Sequence, residues 1–317
     1  MDVEGDILPI SKVGCISPST IRIEWLIESL WQEEACGIIG GQPKCCKSWL
    51  GLDMAVSVAS GTPCLGKFVI PKKGPTLIFM AEDRIEEVRR RIEGIAMSRG
   101  LDLSSLDVFL ITIPVMRLDV EEDQKRLAAT IASIRPRLLL LDPLVRLHRL
   151  DENNAREISG LLGYLRELER RFKVSIIVTH HASKRSHARP GQGLRGSSDL
   201  HAFGDSNIYL ARCKEDIELS VEHRAAPSIE KLSLRLKIEQ NSVFLHILGE
   251  PQADPSEPNL NQRITNLLET NSAPITRAQI RETLHVNNHR LGQAINQLVS
   301  SNLVTVSDRG LQINPGS

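Results

Sequence analysis

The chain has 317 residues, enough for one large domain and a smaller one. Its 39 basic residues balance its 39 acidic ones, so any affinity for nucleic acid has to come from local patches rather than from a global positive field. No apolar run approaches the roughly 18 residues of a membrane span, the acidic N-terminus is unlike a secretory signal, and the six cysteines lack zinc-site spacing. These features predict a cytoplasmic protein without membrane contact.

Apolar runs alternate with amphipathic segments from about residue 24 to residue 247. Strands are predicted at residues 37–39, 76–80, 108–113, 137–142 and 174–179, and helices at residues 47–59, 84–99, 121–134 and 154–172. Continuously apolar strands separated by helices indicate an α/β fold with a parallel sheet covered on both faces. Strands follow one another over residues 206–248, which indicates antiparallel additions at one edge. Trp25 and Trp31 are expected on a short N-terminal helical segment that packs on this core or on a neighbouring subunit.

The segment from Ile38 to Trp49, I-I-G-G-Q-P-K-C-C-K-S-W, runs from an apolar strand through a glycine loop into a helix. This is the layout of a phosphate-binding P-loop, G-x-x-x-x-G-K-[ST], in which Gly41 fills the first glycine position and Cys46 replaces the second. Backbone N–H groups at such a helix N-terminus bind phosphate, so the loop predicts binding of ATP or GTP. The expected nucleotide-binding residues are Gly41, Lys44, Cys45, Cys46, Lys47, Ser48 and Trp49, with Lys47 on the β- and γ-phosphates and Ser48 on Mg²⁺.

Acidic residues and histidines follow three further predicted strands. Asp142 ends the apolar run 138–141, as a Walker B aspartate does, and is expected to hold the Mg²⁺ shell. Glu82 is expected to polarise the attacking water, with Asp83 as its support or, alternatively, as a helix N-cap. One of His180 and His181 is expected to sense the γ-phosphate; the alternative is an ordinary pair of hydrogen-bonded histidines at a strand end.

Cys46 permits two interpretations. A small residue is tolerated in place of the glycine, which normally keeps a Cβ atom out of the way of phosphate. Alternatively, a thiol at a helix N-terminus beside Lys47 is acidic and reactive, which would make nucleotide binding sensitive to thiol reagents.

With these residues placed, the chain resembles the RecA-like ATPases of the plasmid RepA hexameric helicase type over roughly residues 20–250. The resemblance rests on A-E-D at 81–83, L-L-D-P-L-V-R-L-H at 140–148, D-E-N-N at 151–154, H-H-A-S-K at 180–184 and R-G-S-S at 195–198. It implies a RecA-type core with ATP between neighbouring subunits of a ring, a hexamer being favoured. Lys47 and Ser48 then bind phosphate and Mg²⁺, Glu82 is the base, Asp142 is the Walker B acid, His180 or His181 is the sensor, and Arg84 lies along the adenine.

Besides Cys46, the sequence departs from this family at the basic fingers that a subunit offers to its neighbour. The two corresponding positions read Ser-Asn-Ile at 206–208 and Ile-Glu-Gln-Asn at 238–241. A carboxylate there does not stabilise developing negative charge. Arg212, Lys214 and Lys237 are the candidate substitutes.

Two regions are candidates for DNA contact. The loop 182–196 contains four basic residues and no acidic one, which predicts salt-dependent binding of single-stranded DNA inside a ring or, alternatively, a solvated surface loop. These basic residues are Lys184, Arg185, Arg189 and Arg195.

The acidic, proline-rich segment 250–258 predicts a linker between an ATPase core (1–249) and a C-terminal domain (259–317). Predicted helices at 261–269, 276–284 and 288–300 and a hairpin at 303–313 are typical of a small winged helix-turn-helix domain. Arg290 on the recognition helix and Arg309 at the wing are the expected duplex contacts. The alternative is a winged helix that binds protein, because the net charge of this region is only weakly positive.

Three hypotheses follow. The first is a DNA-dependent ATPase, a helicase or helicase-like replication motor of a mobile element. The second is an ATP-switched DNA-binding regulator with slow turnover, and the third is a ring-forming scaffold or loader. DNA-stimulated turnover separates the first from the others, and sequence-specific duplex binding by residues 259–317 separates the second from the third.

Overall fold

The structure is a computed structural model of the chain. It describes residues 10–16, 23–152, 154–181, 198–239, 242–249, 260–271, 274–284, 303–307 and 310–314, together with isolated positions between 286 and 301. The chain divides into two compact units, Met1–Glu250 and Pro251–Ser317. None of the described helices is both long and apolar enough to cross a bilayer.

The first unit is built on a large mixed sheet, preceded by a small two-stranded ribbon. Its strands are β1 (Trp25–Ile27), β2 (Trp31–Gln32), β3 (Cys36–Gly41), β4 (Thr76–Met80), β5 (Val108–Leu110), β6 (Leu138–Asp142), β7 (Ser175–His181), β8 (Ser206–Cys213), β9 (Asp216–His223), β10 (Leu232–Glu239) and β11 (Ser242–Ile247). Its α-helices are α1 (Lys47–Ser60), α2 (Ile85–Met97), α3 (Glu121–Ile134), α4 (Ala155–Phe172) and α5 (Ser198–Phe203). The described strands of the large sheet lie in the order β11-β10-β9-β8-β3-β7-β6-β4-β5.

The sheet is parallel from β5 to β8 and antiparallel from β8 to β11. The predicted α/β class, with antiparallel strands added at one edge, is therefore confirmed. Residues in the parallel strands alternate between the two faces, and both faces are buried: Ile39 and Leu140 join the cluster under α1 and α2, whereas Ile38 and Leu141 join the cluster under α3 and α4. This double coverage explains why these strands are predominantly apolar on both faces.

The prediction of a helical segment around the two N-terminal tryptophans is wrong. Trp25 and Trp31 lie on β1 and β2, which pair antiparallel, and Trp31 is fully buried in the core of its own chain. A turn through Ser29 at φ 61° joins the strands. Because that turn contains no glycine, the sequence gives no signal for it.

The second unit, considered by itself, has a small apolar core of its own. Its described elements are the helices α6 (Leu260–Thr270) and α7 (Arg277–Leu284) and the antiparallel strands β12 (Val304–Ser307) and β13 (Gly310–Ile313). Thr276 precedes α7 and exchanges hydrogen bonds with Gln279: its hydroxyl accepts from the Gln279 N–H at 3.3 Å, and its own N–H donates to the side-chain oxygen of Gln279 at 2.9 Å. This capping box starts the helix where the sequence predicts it.

Candidate functional site

The parallel strands β3, β4, β6 and β7 end along one edge of the sheet, where a cavity of about 370 Å³ opens. Ligands of open α/β sheets bind at this carboxyl edge. The lining residues are Lys44, Cys45, Cys46, Lys47, Ser48, Trp49, Met80, Glu82, Asp83, Arg91, Asp142, Pro143 and His181. The structure thus brings the predicted loop, the three predicted carboxylates and one predicted histidine to one place.

The loop between β3 and α1 contains two non-glycine residues in the left-handed region, Lys44 at φ 63° and Cys46 at φ 65°. Side chains with a Cβ atom pay a steric cost there, of about 1–2 kcal/mol per residue, that glycine avoids. The glycine of the motif is therefore replaced at a position where the backbone requires a glycine-like conformation. The first glycine is retained where space requires it, since a Cβ atom on Gly41 would lie 2.4 Å from the carbonyl oxygen of Leu210 and 2.6 Å from Cys45 Sγ.

Neither loop thiol is acidic in this structure. Burial raises the pKa of Cys45, and the nearby charges of Lys47 and Arg212 only partly oppose this shift. Burial also raises the pKa of Cys46, again against the opposing effects of the surrounding cations. Both groups are thus protonated at neutral pH, which argues against the reactive-thiol interpretation, because the thiolate is the reactive form.

Lys47 is buried and folds back over its own loop. Its ammonium group donates hydrogen bonds to the carbonyl oxygens of Gly41 at 3.0 Å and Gln42 at 2.9 Å, and lies 3.3 Å from Nδ1 of His181. Burial lowers the pKa of His181, and the positive charge of Lys47 lowers it further. The ring is therefore neutral at neutral pH, and its Nδ1 can accept a hydrogen bond from Lys47.

Asp142 is 6% exposed at the end of β6, and Oδ1 accepts a hydrogen bond from the hydroxyl of Thr179 on the neighbouring strand β7. Burial raises its pKa, whereas the Ser48 and Thr179 hydroxyls and the charge of Lys47 lower it. Its other oxygen, Oδ2, is buried and has no hydrogen-bond partner among the described residues. A free carboxylate oxygen beside the hydroxyl of Ser48 fits the hard, oxygen-preferring Mg²⁺ ion that nucleotide sites of this kind use.

Glu82, the predicted base, and its neighbour Asp83 form salt bridges with different arginines. Glu82 Oε1 accepts a hydrogen bond from Arg146 Nε at 2.7 Å, and both side chains are about half exposed. The carboxylate of Asp83 accepts hydrogen bonds from both terminal nitrogens of Arg91, at 2.8 and 3.1 Å. The alternative role of Asp83 as the helix N-cap is wrong, since Arg84 occupies the N-cap position of α2 and both carboxylate oxygens of Asp83 bind Arg91.

Arg91 is the charged residue lining the cavity that sequence reasoning missed. Its guanidinium group lies 5.5 Å from the ring centroid of Trp49, and the salt bridge to Asp83 fixes it there. Arg84, which the resemblance places along the adenine, is exposed and is not among the described residues that line the cavity. The planar pair of Trp49 and Arg91 is the surface in this cavity suited to a nucleobase.

The two adjacent histidines point to different surroundings. His181 lines the cavity, whereas His180 is 1% exposed and its Nδ1 lies 3.8 Å from Oε1 of Glu152. The same glutamate oxygen lies 3.8 Å from Nε2 of the buried His148. Of the two candidate sensors, only His181 has direct access to a ligand in the cavity.

The candidate DNA contacts fall in segments that the structure does not describe. Lys184, Arg185, Arg189 and Arg195 of the basic loop, and Arg290 and Arg309 of the C-terminal unit, lie outside the described residues. Among the candidate substitutes for the missing fingers, Arg212 donates a hydrogen bond to the carbonyl oxygen of Lys44 in its own chain at 2.8 Å.

Comparisons with known proteins identify the family and the fold. The family model of the AAA domain matches residues 10–187, which is 178 of the 317 residues. The ATPase domain of G40P is 18% identical over 67% of this chain and 85% of that chain, with a TM-score of 0.52. A DnaB-like replicative helicase, from a structure that describes its interactions with primase, is 16% identical over 67% of this chain and 57% of that chain, also with a TM-score of 0.52. No curated protein matches the chain. The first unit therefore has the RecA-like ATPase fold.

Proposed function

Because the chain belongs to the AAA domain family, we propose that it is a Mg²⁺-dependent ATPase of the RepA hexameric helicase type, a DNA-dependent motor for replication of a mobile element. One observation carries the ATPase assignment. Lys47, Asp142, Glu82 and His181 come from four separate strand ends, and all four line one cavity beside a P-loop. Position-by-position agreement with the family motifs supports the finer assignment to the RepA type.

The loop binds phosphate through its backbone N–H groups and Lys47. Lys47 leaves the carbonyl oxygens of Gly41 and Gln42 when it binds a phosphate, so these two hydrogen bonds act as a replaceable substitute for the ligand. Ser48 and Asp142 would hold Mg²⁺, which would neutralise phosphate charge when bound. Trp49 and Arg91 bind the base.

Glu82 accepts the proton of the attacking water, because it is the carboxylate at this edge that is not held by a buried hydrogen bond. Its contact with Arg146 is exposed on both sides and therefore weak, so the carboxylate is released at little cost. His181 accepts a hydrogen bond from Lys47 in the nucleotide-free protein. It loses this partner when Lys47 moves to phosphate, which makes it the residue that signals occupancy.

Oligomer formation and DNA binding are inferred from the sequence alone. Subunits form a homo-oligomer, in the favoured case a hexamer, with single-stranded DNA bound by the basic loop 182–196 and duplex DNA bound by a winged helix over residues 259–317. The capping box at Thr276, the separate apolar core and the terminal hairpin are all compatible with a winged helix. The structural relatives named above, a replicative helicase among them, agree with an ATP-driven motor.

A second candidate function is an ATP-switched DNA-binding regulator that turns over slowly. The left-handed conformation of Cys46 favours it, because a strained loop that is costly to maintain binds phosphate less firmly than a glycine loop. The acidic residue Glu239 at the second finger position favours it too, since it removes a stabiliser of the transition state.

ATP hydrolysis measured without DNA, with single-stranded DNA and with duplex DNA tests these proposals. Wild type is compared with Lys47→Ala and with the control Lys125→Ala, which removes an exposed lysine on α3. A rate that requires Lys47, tolerates Lys125→Ala and rises strongly with DNA supports the motor. Lys47-dependent nucleotide binding with negligible turnover under all three conditions supports the regulator, and nucleotide binding that survives Lys47→Ala refutes the assignment of the site.

A further inference from the structure

We propose that Arg212 is a positioning residue that holds the phosphate-binding loop in its nucleotide-ready conformation from within the same subunit. It offsets the replacement of the loop glycine by Cys46. This inference rests on the proposed nucleotide site.

The loop needs such support because of its two left-handed residues. Lys44 and Cys46 both lie at positive φ, and neither is a glycine. A chain segment with two such residues lowers its free energy by relaxing to another conformation, unless contacts with its surroundings hold it in place. Glycine at position 46 would adopt the left-handed conformation without this steric cost. With cysteine at that position, the conformation of the loop depends on contacts from the rest of the chain.

Arg212 contacts the loop at one of these two residues. Its terminal nitrogen donates a hydrogen bond of 2.8 Å to the carbonyl oxygen of Lys44. That carbonyl belongs to a residue of positive φ, so the bond opposes rotation of the peptide that the strain would otherwise drive. Arg212 itself is exposed on β8 and lies outside the residues that line the cavity.

β8 is well placed to support the loop because it runs parallel to β3 and pairs with its end. Gly41, the last residue of β3, pairs with Leu210. The approach is so close that a Cβ atom at Gly41 would lie 2.4 Å from the carbonyl oxygen of Leu210. Arg212 follows two residues later and thus extends from the same face of β8 as Leu210, alongside the loop as it leaves the sheet.

The charge of Arg212 is also felt inside the loop. Burial raises the pKa of both Cys45 and Cys46, and Arg212 is among the cations that lower it at each thiol. The direct contact of the guanidinium group with the loop is the 2.8 Å hydrogen bond to Lys44.

The contact separates two roles that the sequence left open for this arginine. As a finger it would reach the nucleotide of a neighbouring subunit, whereas the structure assigns it to the loop of its own chain. A positioning role predicts that the importance of Arg212 depends on the residue at position 46. A direct role at a nucleotide, in its own or a neighbouring subunit, predicts no such dependence.

A double-mutant cycle on the full-length protein tests the inference. Amide hydrogen exchange of residues 41–48 in the nucleotide-free protein is measured for wild type, Arg212→Ala, Cys46→Gly and the double variant. Arg212→Ala is expected to accelerate exchange about tenfold when residue 46 is cysteine and less than about threefold when it is glycine. The two substitutions are then coupled by a factor of at least about three in the exchange rate. This measurement requires no nucleotide, so it remains informative if the proposed function fails.

Affinity for a fluorescent ATP analogue gives the second readout in the same four proteins. Binding is expected to weaken about tenfold on Arg212→Ala, and Arg212→Lys is expected to restore most of it, because an ammonium group can also donate to the Lys44 carbonyl. Lys125→Ala, which removes an exposed positive charge on α3, serves as the charge-matched control and is expected to leave both readouts unchanged.

Equal effects of Arg212→Ala in the cysteine and glycine backgrounds would overturn the inference, as would the absence of any effect on exchange. If Cys46→Gly does not fold, Cys46→Asn replaces it, since asparagine tolerates the left-handed region better than other residues with a Cβ atom. Wild-type protein that binds no nucleotide but shows the coupled exchange would refute the proposed function and leave the positioning role intact.

Discussion

Replacing Cys46 by glycine should stabilise the protein relative to replacing it by alanine, although alanine is usually the less disruptive substitution. Both variants remove Sγ from the cavity wall, so the comparison isolates the backbone. Position 46 has φ 65° and ψ 27°, and alanine keeps the left-handed cost of about 1–2 kcal/mol that glycine avoids. Glycine loses more conformational entropy on folding, at a cost of about 0.4–1 kcal/mol. The difference leaves the glycine variant more stable by about 0.5–1 kcal/mol.

Urea unfolding followed by tryptophan fluorescence measures this difference selectively. All three tryptophans, Trp25, Trp31 and Trp49, belong to the first unit, so the signal reports the unit that contains the loop. Cys45→Gly against Cys45→Ala is the matched control at the adjacent position, which is not at positive φ. There the order should reverse, with the alanine variant more stable. If Cys46→Ala is as stable as Cys46→Gly or more stable, the loop does not hold residue 46 in the left-handed region and the reasoning is refuted.

Three further outcomes are expected. Glu82→Gln should retain nucleotide binding but lower the hydrolysis rate at least about 100-fold, as loss of a general base does, whereas Glu86→Gln on the exposed side of α2 should match wild type in a steady-state ATPase assay. Arg99→Met should cost about 3–5 kcal/mol in urea unfolding, because it leaves the 2% exposed carboxylate of Asp53 without its 2.6 Å partner; a loss below 1 kcal/mol would contradict this. Burial lowers the pKa of His223 in the folded protein below the value of about 6.5 that a histidine has in the unfolded chain. Between these two pKa values the unfolded state binds more protons than the folded state, so the free energy of unfolding falls as the pH decreases from 7. His223→Gln should flatten this dependence of the urea midpoint on pH, and an unchanged slope would exclude the contribution of His223.

The parallel core could be predicted from the sequence because its strands are buried on both faces. The run 138–141 is continuously apolar, which predicts a strand buried on both faces. In the structure every residue of Leu138–Asp142 is buried. The helix 121–134 was predicted with its observed bounds, since three acidic residues mark its first turn. The ribbon at Trp25 and Trp31 could not be predicted, because two- and three-residue strands are too short to show a period of two.

The candidate site was predictable where chemistry follows directly from a strand end, and it was not where a side chain reaches the site from elsewhere. Lys47, Glu82 and Asp142 all follow or end strands, and the shared edge of a parallel sheet brings them together. Arg91 lies in the second turn of α2, and the available signal was only its distance of eight residues from Asp83 on an amphipathic helix. The hydrogen bond from Arg212 to the loop had no local signal at all, because 168 residues separate the two partners.

The position of β3 in the sheet determines when the site can form during synthesis. β3 leaves the ribosome early, but both strands that flank it, β7 and β8, are encoded more than 130 residues later. Contacts of such large sequence separation form late, whereas β8–β11 is a local meander that can pair as soon as it is made. The region matched by the family model ends at residue 187, before β8, so a fragment cut at that boundary would leave one edge of β3 unpaired and Gly41 without Leu210. The P-loop is thus synthesised early, and its surroundings are completed only after β8, which ends at Cys213, has emerged.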